Sequence, residues 1–82
     1  MIDEDAVKKY LLERKEIYDA MSKAIEANIT NFEQLKQTIP KLQDICNLIY
    51  GEKEIPAELD MKRVFRFFRM IWKDSTINFY RQ

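Results

Sequence analysis

Residues 31–50, NFEQLKQTIPKLQDICNLIY, decide the fold, because apolar side chains recur there at alternating spacings of three and four residues. The positions in this pattern are Phe32, Leu35, Ile39, Leu42, Cys46 and Ile49. This spacing places them along one face of an α-helix, whereas a strand would need alternation at every second residue. The stretch therefore predicts about five turns of helix with one buried face.

Two features of this stretch bear on where its helix begins and whether it is continuous. Thr30 and Glu33 fit the capping box that starts a helix, which predicts a helix over about residues 31–50. Pro40 lies inside the pattern, and an interior proline removes a backbone hydrogen bond and clashes with the preceding turn. The segment is therefore either kinked at Pro40 or split into two short helices. Because the apolar spacing continues through Pro40, a kink is narrowly favoured.

Towards the N-terminus, a first helix is predicted over about residues 3–27. Asp3 is a good N-cap, and the acidic residues after it favour the positive end of the helix dipole. The apolar stripe of this helix comprises Val7, Leu11, Tyr18, Met21 and Ile25, widened by Tyr10, Ile17 and Ala24. Arg14 interrupts the stripe. Its stem can lie along apolar surface with the charged group in water, and the alternative is a polar residue that sets register or partner choice.

Towards the C-terminus, Gly51 is a natural helix stop, and Pro56 is suited to the first position of a last helix over about residues 56–80. Short loops between three long helices imply antiparallel neighbours. We therefore predict a single all-α domain over residues 1–82, a small antiparallel bundle of three main helices. A split at Pro40 would make it four.

The composition argues against an enzyme. Among the 82 residues there is no histidine, and Cys46 and Gly51 are the one cysteine and the one glycine. The commonest general base, a cysteine zinc site and a glycine-rich phosphate loop are therefore missing. We expect no catalytic residue, no cofactor and no metal. Cys46 lies in the apolar stripe and is interpreted as a core residue.

The net charge of zero hides a strong polarity along the chain. Residues 61–82 carry six Lys or Arg against one acid, whereas residues 1–60 carry eight against thirteen Asp or Glu. On a helical wheel, Met61, Val64, Phe65, Phe68, Trp72, Ser75 and Phe79 form the core face. A stripe of cations lies outside that face, at Lys62, Arg66, Arg69 and Lys73. These cations are solvated or paired with acids such as Asp3, or they meet an acidic partner or a polyanion.

The last helix is also apolar outside its core face, at Phe67, Met70 and Ile77, with Tyr80 near the cations. A helix of a monomeric bundle should not be apolar over so much of its circumference, and apolar patches beside cations usually mark interfaces. The residues predicted to bind a partner are therefore Lys62, Arg66, Phe67, Arg69, Met70, Lys73, Ile77 and Tyr80.

These features predict a small, non-enzymatic protein–protein interaction module, such as an adaptor, inhibitor or assembly subunit. It would bind a protein partner or a second copy of itself as a homodimer. The alternative is nucleic-acid binding through the cationic stripe, against which the isoelectric point of about 6.3 argues. A membrane surface is the least favoured partner, because the apolar face is needed for the core. Neither a signal peptide nor a membrane span is evident, which predicts a cytoplasmic location.

Overall fold

The structure is a computed structural model that describes the backbone of residues 3–81 and the side chains of residues 3–71. The regular structure in the described backbone is helical, which confirms the all-α prediction. The helices are α1 (Glu4–Glu26), α2 (Phe32–Thr38), α3 (Leu42–Tyr50) and α4 (Met61–Arg81).

Helix α1 begins where the sequence predicts. The Asp3 carboxylate accepts hydrogen bonds from the backbone N–H groups of Asp5 at 3.0 Å and Ala6 at 3.3 Å. Two of the amides left without partners in the first turn are thereby satisfied, which confirms Asp3 as the N-cap. The helix ends at Glu26, and Ala27 is its C-cap.

The predicted cap of the second helix is wrong by one residue. The Asn31 side chain, rather than that of Thr30, accepts the hydrogen bond from the Gln34 backbone N–H, at 2.9 Å. The Thr30 hydroxyl instead donates to the carboxylate of Glu58, far away in the sequence. Asparagine caps helices as well as threonine does, so the tertiary contact of Thr30 decides between two good local candidates.

At Pro40 the structure has the split rather than the kink. Helix α2 ends at Thr38, and Ile39 is extended, with φ −104° and ψ 113°. The residue before a proline is driven out of the helical region by a clash with the proline ring, which accounts for the extended Ile39. Lys41 then adopts a left-handed conformation with φ 58°, and α3 starts at Leu42.

The start of the last helix differs most from the prediction. Pro56 does not open it, because α4 begins at Met61 and residues 51–60 are not helical. The backbone of residues 57–59 is instead bonded to that of residues 30–32. Phe32 N–H donates to the Ala57 carbonyl and Leu59 N–H to the Thr30 carbonyl, each at 2.8 Å. These bonds require an extended chain, so they prevent a helix from starting at Pro56.

One hydrophobic cluster unites the described helices. Its buried members are Ile17, Met21, Ala24, Phe32, Leu35, Ile39, Leu42, Ile45, Cys46, Leu59, Met61, Val64 and Phe68. The apolar stripe predicted for residues 32–49 is confirmed, since all of its members are buried or half-buried. The stripe predicted for α1 is buried only in its second half, because Leu11 is exposed.

Aromatic contacts join α1 to α4. The Tyr18 ring meets Phe65 and Phe68 edge to face, with centroid distances of 5.1 and 5.2 Å. Further along α1, Ala24 and Ile25 lie beside Met61 at the beginning of α4. Because later residues of α1 meet earlier residues of α4, the two helices run in opposite directions.

Arg14 lies beside this aromatic group. It is half-buried, and its guanidinium carbon lies 5.1 Å from the centroid of the Tyr18 ring. A cation over an aromatic face is attracted by the ring quadrupole, so Arg14 packs on an aromatic ring of its own helix instead of breaking the apolar stripe.

Candidate partner-binding face

The predicted site lies on the outward side of α4, and the structure separates its members into three groups. Lys62, Arg66 and Arg69 are exposed, as the wheel predicts. Met70 is 56% exposed, and Phe67 is half-buried at the edge of the core. The side chains of Lys73, Ile77 and Tyr80 lie outside the described residues, as do those of Trp72, Ser75 and Phe79.

Phe67 and Met70, the described apolar residues of this face, lie next to helix α3. Ile49 of α3 and four α4 residues line a groove of about 290 Å³ between the two helices. The lining residues, called the α3–α4 groove below, are Ile49, Arg63, Arg66, Phe67 and Met70. Its floor is therefore apolar, and its charged groups are both cationic.

Sequence reasoning missed two members of this groove. Arg63 precedes Phe67 by four residues and Met70 by seven, a spacing that puts it on the same helical face and could have identified it. Ile49 could not have been found in this way, because its position beside α4 depends on how α3 packs. Its own helical spacing marks it only as a residue of the α3 apolar face.

Arg63 is held in place from the side of α3. Its guanidinium carbon lies 5.7 Å from the centroid of the Tyr50 ring, in a cation–π contact. Such a contact at a partly exposed site contributes on the order of 0.5–1 kcal/mol. It leaves Arg63 charged at the rim of the groove while restricting where its side chain can lie.

No carboxylate among residues 3–71 forms an ion pair with the described cations on the outward side of α4. The ion pairs among the side chains of residues 3–71 are Lys36–Glu33 at 3.0 Å and Lys41–Glu13 at 3.2 Å. Neither involves α4. The expected alternative, that the stripe pairs with acids such as Asp3, is thus not seen within these residues, and Asp3 instead caps its own helix.

A larger groove of about 640 Å³ lies between α1 and the α2–α3 junction. Its surface includes Ala20, Ala24 and Ala27, with Asp19 and Lys23 beside them. Acidic and basic groups both occur there. The charges of this second groove therefore favour neither an acidic nor a basic partner, in contrast to those of the α3–α4 groove.

Cysteine is the most nucleophilic residue type in the chain, but the surroundings of Cys46 suppress the reactivity of its thiol. The side chain is fully buried, and desolvation raises the pKa of its thiol from 9.0 to about 11. Because the thiolate is the reactive form, a thiol in this state is inert at neutral pH. This supports its interpretation as a core residue.

Two further kinds of feature are absent from the described part of the chain. Its helices include none that combines the length and the apolar character needed to cross a membrane. Its side chains include no group of three or more His, Cys, Asp or Glu arranged to hold a metal ion.

Comparison of the chain with known protein families, with curated proteins and with solved structures finds no match.

Proposed function

We propose that this protein is a small interaction module that binds another protein through the α3–α4 groove and the cations beside it, and that it is not an enzyme. The observation that carries the proposal is Met70, which is 56% exposed at the floor of a groove bordered by two arginines. Aromatic residues, Met and Arg are the types enriched in the buried centre of protein interfaces.

The core gives no reason for an apolar residue at this position. Val64 and Phe68 already fill the inward face of α4 and are completely buried. Met70 lies outside the described hydrophobic cluster and exposes apolar surface to water. A partner that covers Met70 and the half-buried Phe67 would remove this surface from water, which contributes roughly 25 cal/mol for each Å² of apolar area covered.

Comparative affinity capture tests the proposal, using the full chain as bait and extract from cells that express it. The baits are the wild type, Met70→Glu and, as a matched control, Leu12→Glu on α1, where the leucine is 61% exposed. We expect a bound protein that Met70→Glu loses and Leu12→Glu keeps. Identical recovery with all three baits would show that this face is not the binding surface.

Self-association through the same face is the homodimeric form of the proposal. Sedimentation velocity over a range of concentrations measures it directly. If the partner is a second copy, the wild type forms a dimer, Met70→Glu is a monomer, and Leu12→Glu remains a dimer.

Nucleic-acid binding is the second candidate, and it is favoured because Lys62, Arg66 and Arg69 form no ion pair with a carboxylate of the described residues. Fluorescence anisotropy of a labelled duplex and a labelled single strand, at about 50 mM and about 200 mM salt, tests it through counterion release. Micromolar binding that collapses at the higher salt supports this candidate. Absence of binding at the lower salt removes it.

A further inference from the structure

We infer that the α3–α4 groove receives an acidic amphipathic helix from a different protein. The inference rests on the proposed function and adds the chemistry of the partner. It combines the shape of the groove, the sign of its charges and the like charges that two copies of the chain would bring together.

The shape of the groove favours a helix over a small molecule. Its volume of about 290 Å³ is at the lower limit of roughly 300 Å³ for small-molecule pockets, and it lies open along the boundary of two helices. Amphipathic helices bind in grooves of this kind by placing apolar side chains spaced three and four residues apart on the floor. Ile49, Phe67 and Met70 supply that floor.

The charge around the groove selects an acidic partner. Arg63 and Arg66 line it, and Lys62 and Arg69 are exposed on the same helix. No carboxylate in the described part of the chain pairs with any of the four. Partner carboxylates flanking an apolar face would form charge-assisted hydrogen bonds with the arginines and would remove the repulsion between neighbouring cations of α4.

The same charges disfavour a second copy as the occupant. A two-fold dimer brings the same patch of both subunits together, so Arg63 and Arg66 of one copy would approach cations of the other. Like charges juxtaposed in an interface are costly. A different protein with acidic residues has no such cost.

A nucleic acid would pair with the cations but would leave the apolar floor of the α3–α4 groove uncovered. Its phosphates can pair with Arg66 and Arg69, whereas Met70 offers an apolar, flexible side chain of the type found at surfaces that bind amphipathic helices. Because apolar residues and arginines line the groove together, a ligand that carries both apolar and acidic groups fits better than a polyanion.

Selection from a phage-displayed peptide library tests the inference without presupposing a sequence. Each peptide has about 20 residues, with leucines fixed at the alternating three- and four-residue spacing of an amphipathic helix and all other positions randomised. The full chain is the target, and Met70→Glu serves for counter-selection. We expect the enriched peptides to be rich in Asp and Glu beside the leucines. Enrichment of neutral or basic peptides, or no enrichment over the counter-selected target, would overturn the inference.

Calorimetric titration of one enriched peptide then tests its place and its charge pairing. We expect Met70→Glu and Arg66→Glu each to weaken binding at least about tenfold, and Leu12→Glu and the exposed Lys9→Glu on α1 to change it less than about twofold. A peptide in which only the acid that faces Arg66 is replaced by Lys should bind Arg66→Glu more tightly than the parent peptide does. If Leu12→Glu and Lys9→Glu weaken peptide binding as much as the groove variants do, the groove is not the binding site. If the charge-reversed peptide regains no affinity for Arg66→Glu, the site does not select its ligand by charge.

The two proposals fail separately. If capture shows a protein lost by Met70→Glu while the selected peptides are not acidic, the interaction face stands and only the acidic helix is wrong. If the capture, sedimentation and peptide experiments all show no difference between Met70→Glu and wild type, the proposed function is wrong as well. Binding of the labelled nucleic acids that Arg66→Glu abolishes and acidic peptides do not displace would overturn the acidic helix in favour of the polyanion.

Discussion

At the scale of single residues, Cys46 shows how burial alters chemistry. The folded protein surrounds the thiol with apolar side chains and removes it from water. Because a charged thiolate is poorly solvated there, the pKa of the thiol rises from 9.0 to about 11. The neutral thiol is thus favoured by folding, and its deprotonation opposes folding.

The stability contributed by the neutral thiol of Cys46 should be lost at alkaline pH. A raised folded-state pKa leaves the contribution intact below pH 9.0 and removes it as the pH rises towards about 11. Between pH 8 and 10, wild type should lose about 1 kcal/mol more free energy of unfolding than Cys46→Ala, which has no titrating thiol. Urea unfolding at several pH values measures this. Parallel pH profiles for the two proteins would show that the thiol is not desolvated.

A second residue-scale feature is Asn28, at the end of α1, whose φ of 56° is left-handed. Its N–H donates to the Ile25 carbonyl, and the next N–H, that of Ile29, donates to the Ala24 carbonyl, both at 3.1 Å. This pair of bonds is a Schellman motif, which needs a left-handed residue at the position of Asn28. Asparagine tolerates that conformation better than most residues with a side chain.

Substitutions at Asn28 should therefore follow backbone preference. Asn28→Val should lower the free energy of unfolding by about 1–2 kcal/mol, while Asn28→Gly should leave it unchanged or raise it. Thermal unfolding by circular dichroism measures both. Gln37→Val, at an exposed right-handed position of α2, is the control and should cost less. Equal costs for the two valines would contradict a left-handed requirement at residue 28.

At the scale of elements, the start of α4 depends on one side chain. The Asp60 carboxylate accepts hydrogen bonds from the backbone N–H groups of Lys62 at 3.2 Å and Arg63 at 3.4 Å. It caps the helix and also places a negative charge at the positive end of the helix dipole. Asp60 follows directly after Leu59, which is buried and bonded to Thr30, so the cap sits where the extended segment ends.

Removing the cap of α4 should destabilise the whole protein. Asp60→Ala should lower the free energy of unfolding by about 1 kcal/mol, whereas Asp60→Ser should recover most of the loss because serine also caps helices. Chemical denaturation compares them. Asp19→Ala, at an exposed interior position of α1, is the control and should cost nothing, since alanine favours the helix interior. If Asp60→Ser and Asp60→Ala are equally unstable, capping is not the source of the effect.

At the scale of the whole molecule, α4 has two faces with opposite roles. Its inward face inserts Val64 and Phe68 into the common core, and both are completely buried. Its outward face displays Arg66 and Arg69, which have no ion pair within the described residues. Stability therefore comes from one side of α4, and the proposed binding surface is the other.

The double substitution Arg66→Glu with Arg69→Glu should separate these roles. We expect unchanged helical circular dichroism, because neither side chain supports the described core, together with loss of partner binding. Phe68→Ala, on the inward face, should instead lower the free energy of unfolding by about 3–5 kcal/mol through the cavity that it leaves. Loss of helicity in the double variant would show that the cations are structural and would remove the assignment of this face to binding.

Much of this molecule could be predicted from local sequence patterns. The spacing of Phe32, Leu35 and the apolar residues after them identified the buried face of α2 and α3. Asp3 correctly marked the start of α1, and Gly51 correctly marked the end of α3. On α4 the same periodicity placed the described cations and Met70 outside the core. Such features depend on residues within one or two turns of each other, so the local order of side chains is sufficient to determine them.

The tertiary structure alone decided where α4 begins and what the outward face of the molecule contains. Hydrogen bonds from Phe32 to Ala57 and from Leu59 to Thr30 hold residues 57–59 extended, although Pro56 and the acids after it favour a helix. The α3–α4 groove likewise exists only because α3 packs against α4, which brings Ile49 and Phe67 to the same groove. These pairs are far apart in the chain, and no local pattern specifies such pairings. These long-range contacts form because the assembled core lowers the free energy of the folded chain, and that free energy depends on all of its segments together.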